Sequence, residues 1–272
     1  MKLSFTTLGC PEWSIEDIIR NGKAYGFDGV ELRTREDGKH FSPEASLDQA
    51  TEVGQKFRDA GIGVSSVMGY PRFAHVDPAE VATNVALLDK LVDIAEAMHA
   101  PFVRTFAGRI PEDTEQSAMI EVVANAIRPV AKKAADKGVR IGLETHDDWC
   151  AGKVAMEVVN QVGSPGFGIV YDIFNSFGSG IEPWDVTYET VKEHICYCHL
   201  KDGYTGADGK THYVMLGAGD LPIVDLLRRL KADGYDSYLS LEWEKMWHEE
   251  LEEPERVFPH FVHKVKALWE AV

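Results

Sequence analysis

Short apolar, β-branched runs alternate along this chain with longer stretches whose apolar residues recur at helical spacing, and the cycle can be counted eight times. The strands predicted are Leu3–Leu8, Gly29–Arg33, Gly63–Met68, Phe102–Ala107, Arg140–Thr145, Gly168–Asp172, Ile195–Lys201 and Tyr238–Trp243. Helices are predicted at about 14–25, 46–60, 79–98, 115–137, 153–162, 184–193, 222–232 and 255–270. Three helix starts carry cap-like pairs, Ser14 with Asp17, Ser46 with Gln49 and Asp113 with Gln116. Four ends precede a glycine, at Gly26, Gly61, Gly138 and Gly234. Eight strand–helix units in 272 residues match an α/β fold, a (β/α)8 TIM barrel. With no linker or composition break, 1–272 reads as one domain. A doubly wound open sheet is the alternative, but no Gly-x-Gly-x-x-Gly follows the first strand.

Between Gly203 and Gly219 the helical pattern lapses for longer than a strand-to-helix connection needs. Asp208-Gly209 predicts a small hairpin there, read as part of a wall over the site.

Composition narrows the partners. Acidic residues outnumber basic ones 44 to 28, a formal charge of −16, which opposes nonspecific binding to nucleic-acid phosphates. No run approaches the ~20 apolar residues of a membrane helix. Thr7-Leu8-Gly9-Cys10 faintly resembles a lipoprotein cleavage site, but the apolar run before it is short and holds two threonines. The four cysteines form no Cys-x-x-Cys pair, which fits a reducing compartment without a disulfide framework. The expectation is a cytoplasmic protein handling a small molecule, with no nucleic acid and no membrane, and a homo-oligomer by the base rate for soluble enzymes.

Candidate chemistry follows from side-chain parity, since alternate strand residues face opposite sides. Glu144 is in phase with His146, Asp172 with Val170 and Gly168, and His199 with Ile195, Tyr197 and Lys201. Glu242 is in phase with Ser240 and Glu244, opposite Leu239, Leu241 and Trp243. If the apolar partners face the helices, Glu144, Asp172, His199 and Glu242 converge on one interior, where unpaired charge is costly. Three carboxylates and one imidazole, with no thiolate in phase, suit one divalent ion: Mn2+, Mg2+, Co2+ or Zn2+. Such an ion acts as a Lewis acid on a carbonyl and stabilises the enediolate left when a neighbouring C–H proton is removed. A carboxylate near that carbon serves as base, and one on the opposite face returns the proton.

The ordered set Gly29-Val30-Glu31-Leu32, Leu143-Glu144, Asp172-x-x-Asn175, His199-x-Lys201-Asp202, Leu216-Gly217-x-Gly219 and Glu242-Trp243 resembles the xylose isomerase-like barrel superfamily. Within it the match is to the sugar-phosphate isomerase/epimerase-like branch, with ketose 3-epimerases, inosose dehydratases and endonuclease IV. That resemblance implies Glu144, Asp172, His199 and Glu242 as metal ligands, with Glu144 and Glu242 doubling as the acid/base pair. Cys150 and Thr205 stand where ketose 3-epimerases usually place a Glu and a substrate-binding Arg, Asn175 where many relatives have His, and Ala218 where the loop commonly reads Gly-Glu-Gly.

His146, Asn175, Lys201, Glu31 and Arg104 are the substrate-contact candidates; for Lys201 the competing role is counter-ion to the site carboxylates, and for Glu31, Arg33 and Arg104 an internal salt bridge. Trp13, Phe106 and Trp149 are candidate walls of a sugar pocket, against ordinary core packing. His260 and His263, one helical turn apart, read as a partly exposed helix face. The leading function is a divalent-metal-dependent isomerase or epimerase of a small sugar, ketose or related polyol. The alternative keeps the metal and base but expels a β-hydroxyl, with Lys201 or His146 as acid. Two further readings are an endonuclease IV-like phosphodiesterase, which the acidic charge opposes, and a non-catalytic sugar-binding barrel.

Overall fold

Local signals set most element ends in the computed structural model, which describes residues 1–272. Ser14 with Asp17 and Ser46 with Gln49 form reciprocal capping boxes on helices α1 (Ile15–Tyr25) and α2 (Leu47–Asp59). All four predicted stop glycines take positive φ. The third cap pair is a correction: α4 (Gln116–Asp136) has Glu115 at its N-cap, and Asp113 lies in a turn that Thr114 N–H closes onto Pro111 O. Between them runs α3 (Pro78–Met98), capped by Asp77.

The strands are β1 (Lys2–Thr6), β2 (Gly29–Arg33), β3 (Gly63–Met68), β4 (Phe102–Thr105), β5 (Arg140–Glu144), β6 (Phe167–Asp172), β7 (Ile195–Leu200), β8 (Asp202–Thr205), β9 (Thr211–Val214) and β10 (Tyr238–Leu241). Strands β1 to β7 and β10 close into one parallel barrel, with β10 pairing both β7 and β1. The predicted hairpin exists as the antiparallel pair β8–β9 outside the ring. Helices α5 (Gly152–Val162), α6 (Ile173–Ser179), α7 (Trp184–Val191), α8 (Ile223–Ala232) and α9 (Pro254–Ala271) complete the chain. Helix α6 escapes prediction because its seven residues include Gly and two Ser and show no full apolar stripe; the Asp172 side chain caps it by accepting from Asn175 N–H.

Several strands end sooner than their apolar runs, so that site residues stand at or just past strand ends. Glu144 closes β5, Asp172 closes β6, His199 is penultimate in β7, and Glu242 follows β10. Parity holds at each of them but not at Ile195. A bulge between the Ile169–Ile195 and Val170–Tyr197 pairs inserts Cys196, which joins Val170 and Tyr197 in a small cluster of its own. Ile195 packs against the main core, and Cys198 belongs to that core, so the two cysteines do not share a face. All four cysteines are free and buried. One continuous apolar core, including Phe5, Leu91, Ile127, Tyr171, Leu226 and Phe261, joins the barrel to its helices. No helix is long and apolar enough to cross a membrane.

Asp202 anchors the loop after β7. Its buried carboxylate accepts from the backbone N–H groups of Gly203 (2.9 Å), Gly217 (2.7 Å), Gly219 (3.1 Å) and Leu221 (3.2 Å). A Cβ on Gly219 would lie 2.3 Å from Asp202 Oδ1, so the clasp requires glycine there. The Leu216-Gly217-x-Gly219 motif thus holds a structural carboxylate. Replacing Asp202 by Ala strands several N–H donors, and chemical denaturation is expected to show a loss of about 3 kcal/mol, with Asp202→Asn less affected.

Candidate metal and active site

Glu144 and Glu242 each give Oε2 to a cation, Arg104 and Lys201, and turn Oε1 toward His199. His199 Nδ1 lies 3.5 Å from Glu144 Oε1 and 3.5 Å from Glu242 Oε1. One donor atom each from Glu144, Asp172, His199 and Glu242 falls within 4.8 Å of all the others, and all four residues are buried. The His199 ring is oriented from behind: Nε2 is 2.9 Å from Glu31 Oε2, so Nδ1 is the nitrogen that faces the carboxylates, and it offers a lone pair to a cation once its proton is given up. Nδ1 itself is buried without a hydrogen-bond partner. An orphaned imidazole nitrogen among three carboxylate oxygens fits a hard or borderline divalent cation.

Three cationic groups hold this charge out of water. Arg104 pairs with Glu144 Oε2 and also donates to Gly69 O (3.0 Å). Lys201 Nζ sits 2.9 Å from Asp172 Oδ2 and 3.1 Å from Glu244 Oε1, and it donates to Glu242 Oε2. Burial alone raises a carboxyl and lowers a histidine or lysine. Against burial, Arg104 and His199 hold Glu144 well below the usual range, and Lys201 and His199 keep Glu242 low. Asp172 goes the other way, to about 6: burial is the main cause, Lys201 offsets part of it, and Glu242 and Glu144 push it up further. Burial works against protonated His199 and Lys201, but the surrounding carboxylates keep both well above their ordinary values.

A cavity of about 610 Å³ opens onto this cluster, and Arg104, His146, Lys201, Glu242 and Glu244 line it. Lys201 therefore both borders the cavity and neutralises the carboxylates. His146 follows β5 and lies 2.9 Å from the Asp147 carboxylate. Asn175, on the first turn of α6, donates to Glu144 Oε1 (3.3 Å) and Thr145 O (3.1 Å) and faces a smaller adjoining cavity.

Glu31 does not line the cavity. It is buried, with its carboxylate taken by the Tyr197 hydroxyl (2.5 Å), the Ser240 hydroxyl (3.0 Å) and His199, the internal pairing that competes with substrate contact. Arg33 pairs with Asp37. Of the candidate wall aromatics only Phe106 lines the cavity: Trp149 is buried with its indole N–H on Gly108 O, and Trp13 packs on Phe258. His260 bonds Leu216 O and His263 is exposed, as a helix face should be.

Sequence reasoning missed the residues supplied by loops. Arg35, Tyr70, Arg72, Arg109 and Trp247 all line the cavity, each within a few residues of a strand end. That position was the available signal, because barrel chemistry gathers at the C-terminal ends of strands.

Residues 19–259 match the family described as xylose isomerase-like TIM barrel. Fructoselysine 3-epimerase of Shigella flexneri is 22% identical over 260 residues, covering 92% of this chain and 92% of that protein. The crystal structure of a probable 3-DHS dehydratase, AsbF, from Bacillus anthracis superimposes with a TM-score of 0.78 at 20% identity, covering 98% of this chain and 99% of its own. The structure of an IOLI protein with a binding zinc atom superimposes with a TM-score of 0.80 at 19% identity, covering 100% of this chain and 99% of its own.

Because Glu31 orients the ligand face of His199, Glu31→Gln is expected to weaken Mn2+ binding about 10–100-fold in a calorimetric titration. Ser240→Ala, which removes only one supporting bond, is expected to change it less.

Proposed function

The chain belongs to the xylose isomerase-like TIM barrel family, and from that premise we propose that it is a divalent-metal-dependent isomerase or epimerase of a small sugar, ketose or related polyol. The carrying observation is the four-donor cluster at the floor of the cavity, with the Glu242 carboxylate bordering open space. Glu144, Asp172, His199 and Glu242 would hold the ion. A divalent ion there supplies polarisation of a carbonyl oxygen and stabilises the negative charge that proton removal leaves behind.

The remaining work belongs to the chain. Glu242, ionised and held by Lys201, is the base for a C–H proton next to the carbonyl. Glu144 lies across the cluster under Arg104, and protonated His146 beside it on the cavity wall, paired with Asp147, supplies the proton that this face returns. Arg104 keeps Glu144 aligned and charged between turnovers. The four cluster residues are buried, so each charge acts at short range in a low-dielectric setting. The sugar epimerase among the relatives supports this reaction class, and the zinc-bearing structural neighbour supports a metal.

A second reading, loss of a β-hydroxyl, is favoured by one observation. The Lys201 ammonium borders the cavity beside Glu242, where it can donate to a departing oxygen. The structural neighbour described as a probable dehydratase fits that variant.

Proton NMR in D2O, with Mn2+-loaded protein and a panel of ketoses, aldoses, sugar phosphates and inososes, separates these readings. Deuterium entering next to the carbonyl with a rearranged product and no water loss is the expected result; a new enone or diketone would move the assignment to dehydration. Glu242→Gln is expected to slow exchange by about 10²–10⁴-fold. No exchange with any compound despite bound Mn2+ would overturn the proposal.

A further inference from the structure

The outer wall of the same cavity is basic in an otherwise acidic chain. Arg35, Arg72 and Arg109 extend from the segments that follow β2, β3 and β4. Unlike Arg104 and Lys201 at the floor, these arginines reach no fully buried carboxylate. Arg72 forms no ion pair, Arg35 comes only within 3.8 Å of the exposed Glu36, and Arg109, 85% exposed, reaches Asp147 at 3.3 Å. Asp147 also lines the cavity and feels Arg72 at longer range.

Arg35 and Arg72 are nonetheless held in place. The Arg72 guanidinium lies 5.1 Å from the Phe106 ring and that of Arg35 lies 5.1 Å from the Tyr70 ring. The two rings meet edge to face at 6.3 Å. Stacking fixes a guanidinium plane while leaving its N–H edge for a planar acceptor. The backbone beneath is tied down: Gly69 N–H donates to Arg104 O, Phe73 and Ala74 N–H to Ala107 O, and Arg72 N–H to Asn84 Oδ1. The Arg72 stem rests on Gly108, where a Cβ would stand 3.2 Å from Arg72 Cβ.

We propose that Arg72 and Arg35 bind a carboxylate of the substrate, so that the substrate is a hydroxylated carbonyl acid with its acid group away from the reacting centre. The substrate assignment rests on the cluster being that centre; the anion site stands on its own observations. The guanidinium fork takes a carboxylate or a phosphate, and the backbone around it favours the carboxylate. Phosphate sites use runs of free backbone N–H groups, and here those of Gly69, Arg72, Phe73 and Ala74 are all engaged.

Calorimetric titration of malonate and of inorganic phosphate into the protein, without metal and with Mn2+, tests this. Malonate is expected to bind saturably without metal and more tightly than phosphate. Arg72→Met is expected to weaken it at least about tenfold, with Arg72→Lys intermediate and Mn2+ affinity unchanged in both. Failure of malonate to bind, tighter binding of phosphate, or malonate binding that survives in an Arg35→Met/Arg72→Met double variant would overturn the proposal. Absence of Mn2+ binding alongside intact malonate binding would instead count against the metal-dependent reading.

Discussion

Four carboxyl groups, those of Glu31, Glu144, Asp172 and Glu242, lie almost wholly out of water inside one barrel, and Arg104, His199 and Lys201 offset their charge. Taking a carboxylate out of water costs several kcal/mol, about the size of a domain's whole stability margin, unless partners compensate. Every notable feature of the upper barrel answers that demand. Arg104 crosses from β4 to cover the outer oxygen of Glu144, Lys201 spans Asp172 and Glu242, and Glu31 fixes the imidazole from behind. The compensation remains uneven at the centre: Asp172 stays high, and His199 Nδ1 has no partner. That inner face has the donor set that could hold a divalent cation.

Much of this was legible from the sequence because a strand converts parity directly into direction. Glu144, Asp172, His199 and Glu242 each sit at or beside a strand end, where alternation is strict enough to name the inward face. The same rule failed at Ile195, because the bulge at Cys196 reverses the phase below it, and nothing in the local residues marks the extra one. Glu31 exposes a second limit: parity reports the face of a strand but not the depth along the barrel axis. It pointed Glu31 inward, where its carboxylate meets Tyr197 and His199 rather than lining the cavity. Arg35, Arg72 and Trp247 lie in loops, which have no period to read, and they meet in space only because the ring brings successive loops together.

The result is a division of labour along the barrel axis. The floor is built on strands, whose hydrogen-bonded neighbours fix side-chain positions closely enough for ligand geometry. The wall is built on loops, which differ most readily between proteins sharing a fold.

The most direct test of the account is an anomalous difference map from crystals soaked in Mn2+. The account predicts one strong peak among Glu144, Asp172, His199 Nδ1 and Glu242, with Lys201 displaced from at least one of its carboxylates. A map with no peak there, or with Mn2+ only at surface carboxylates while Lys201 keeps its place, would contradict it.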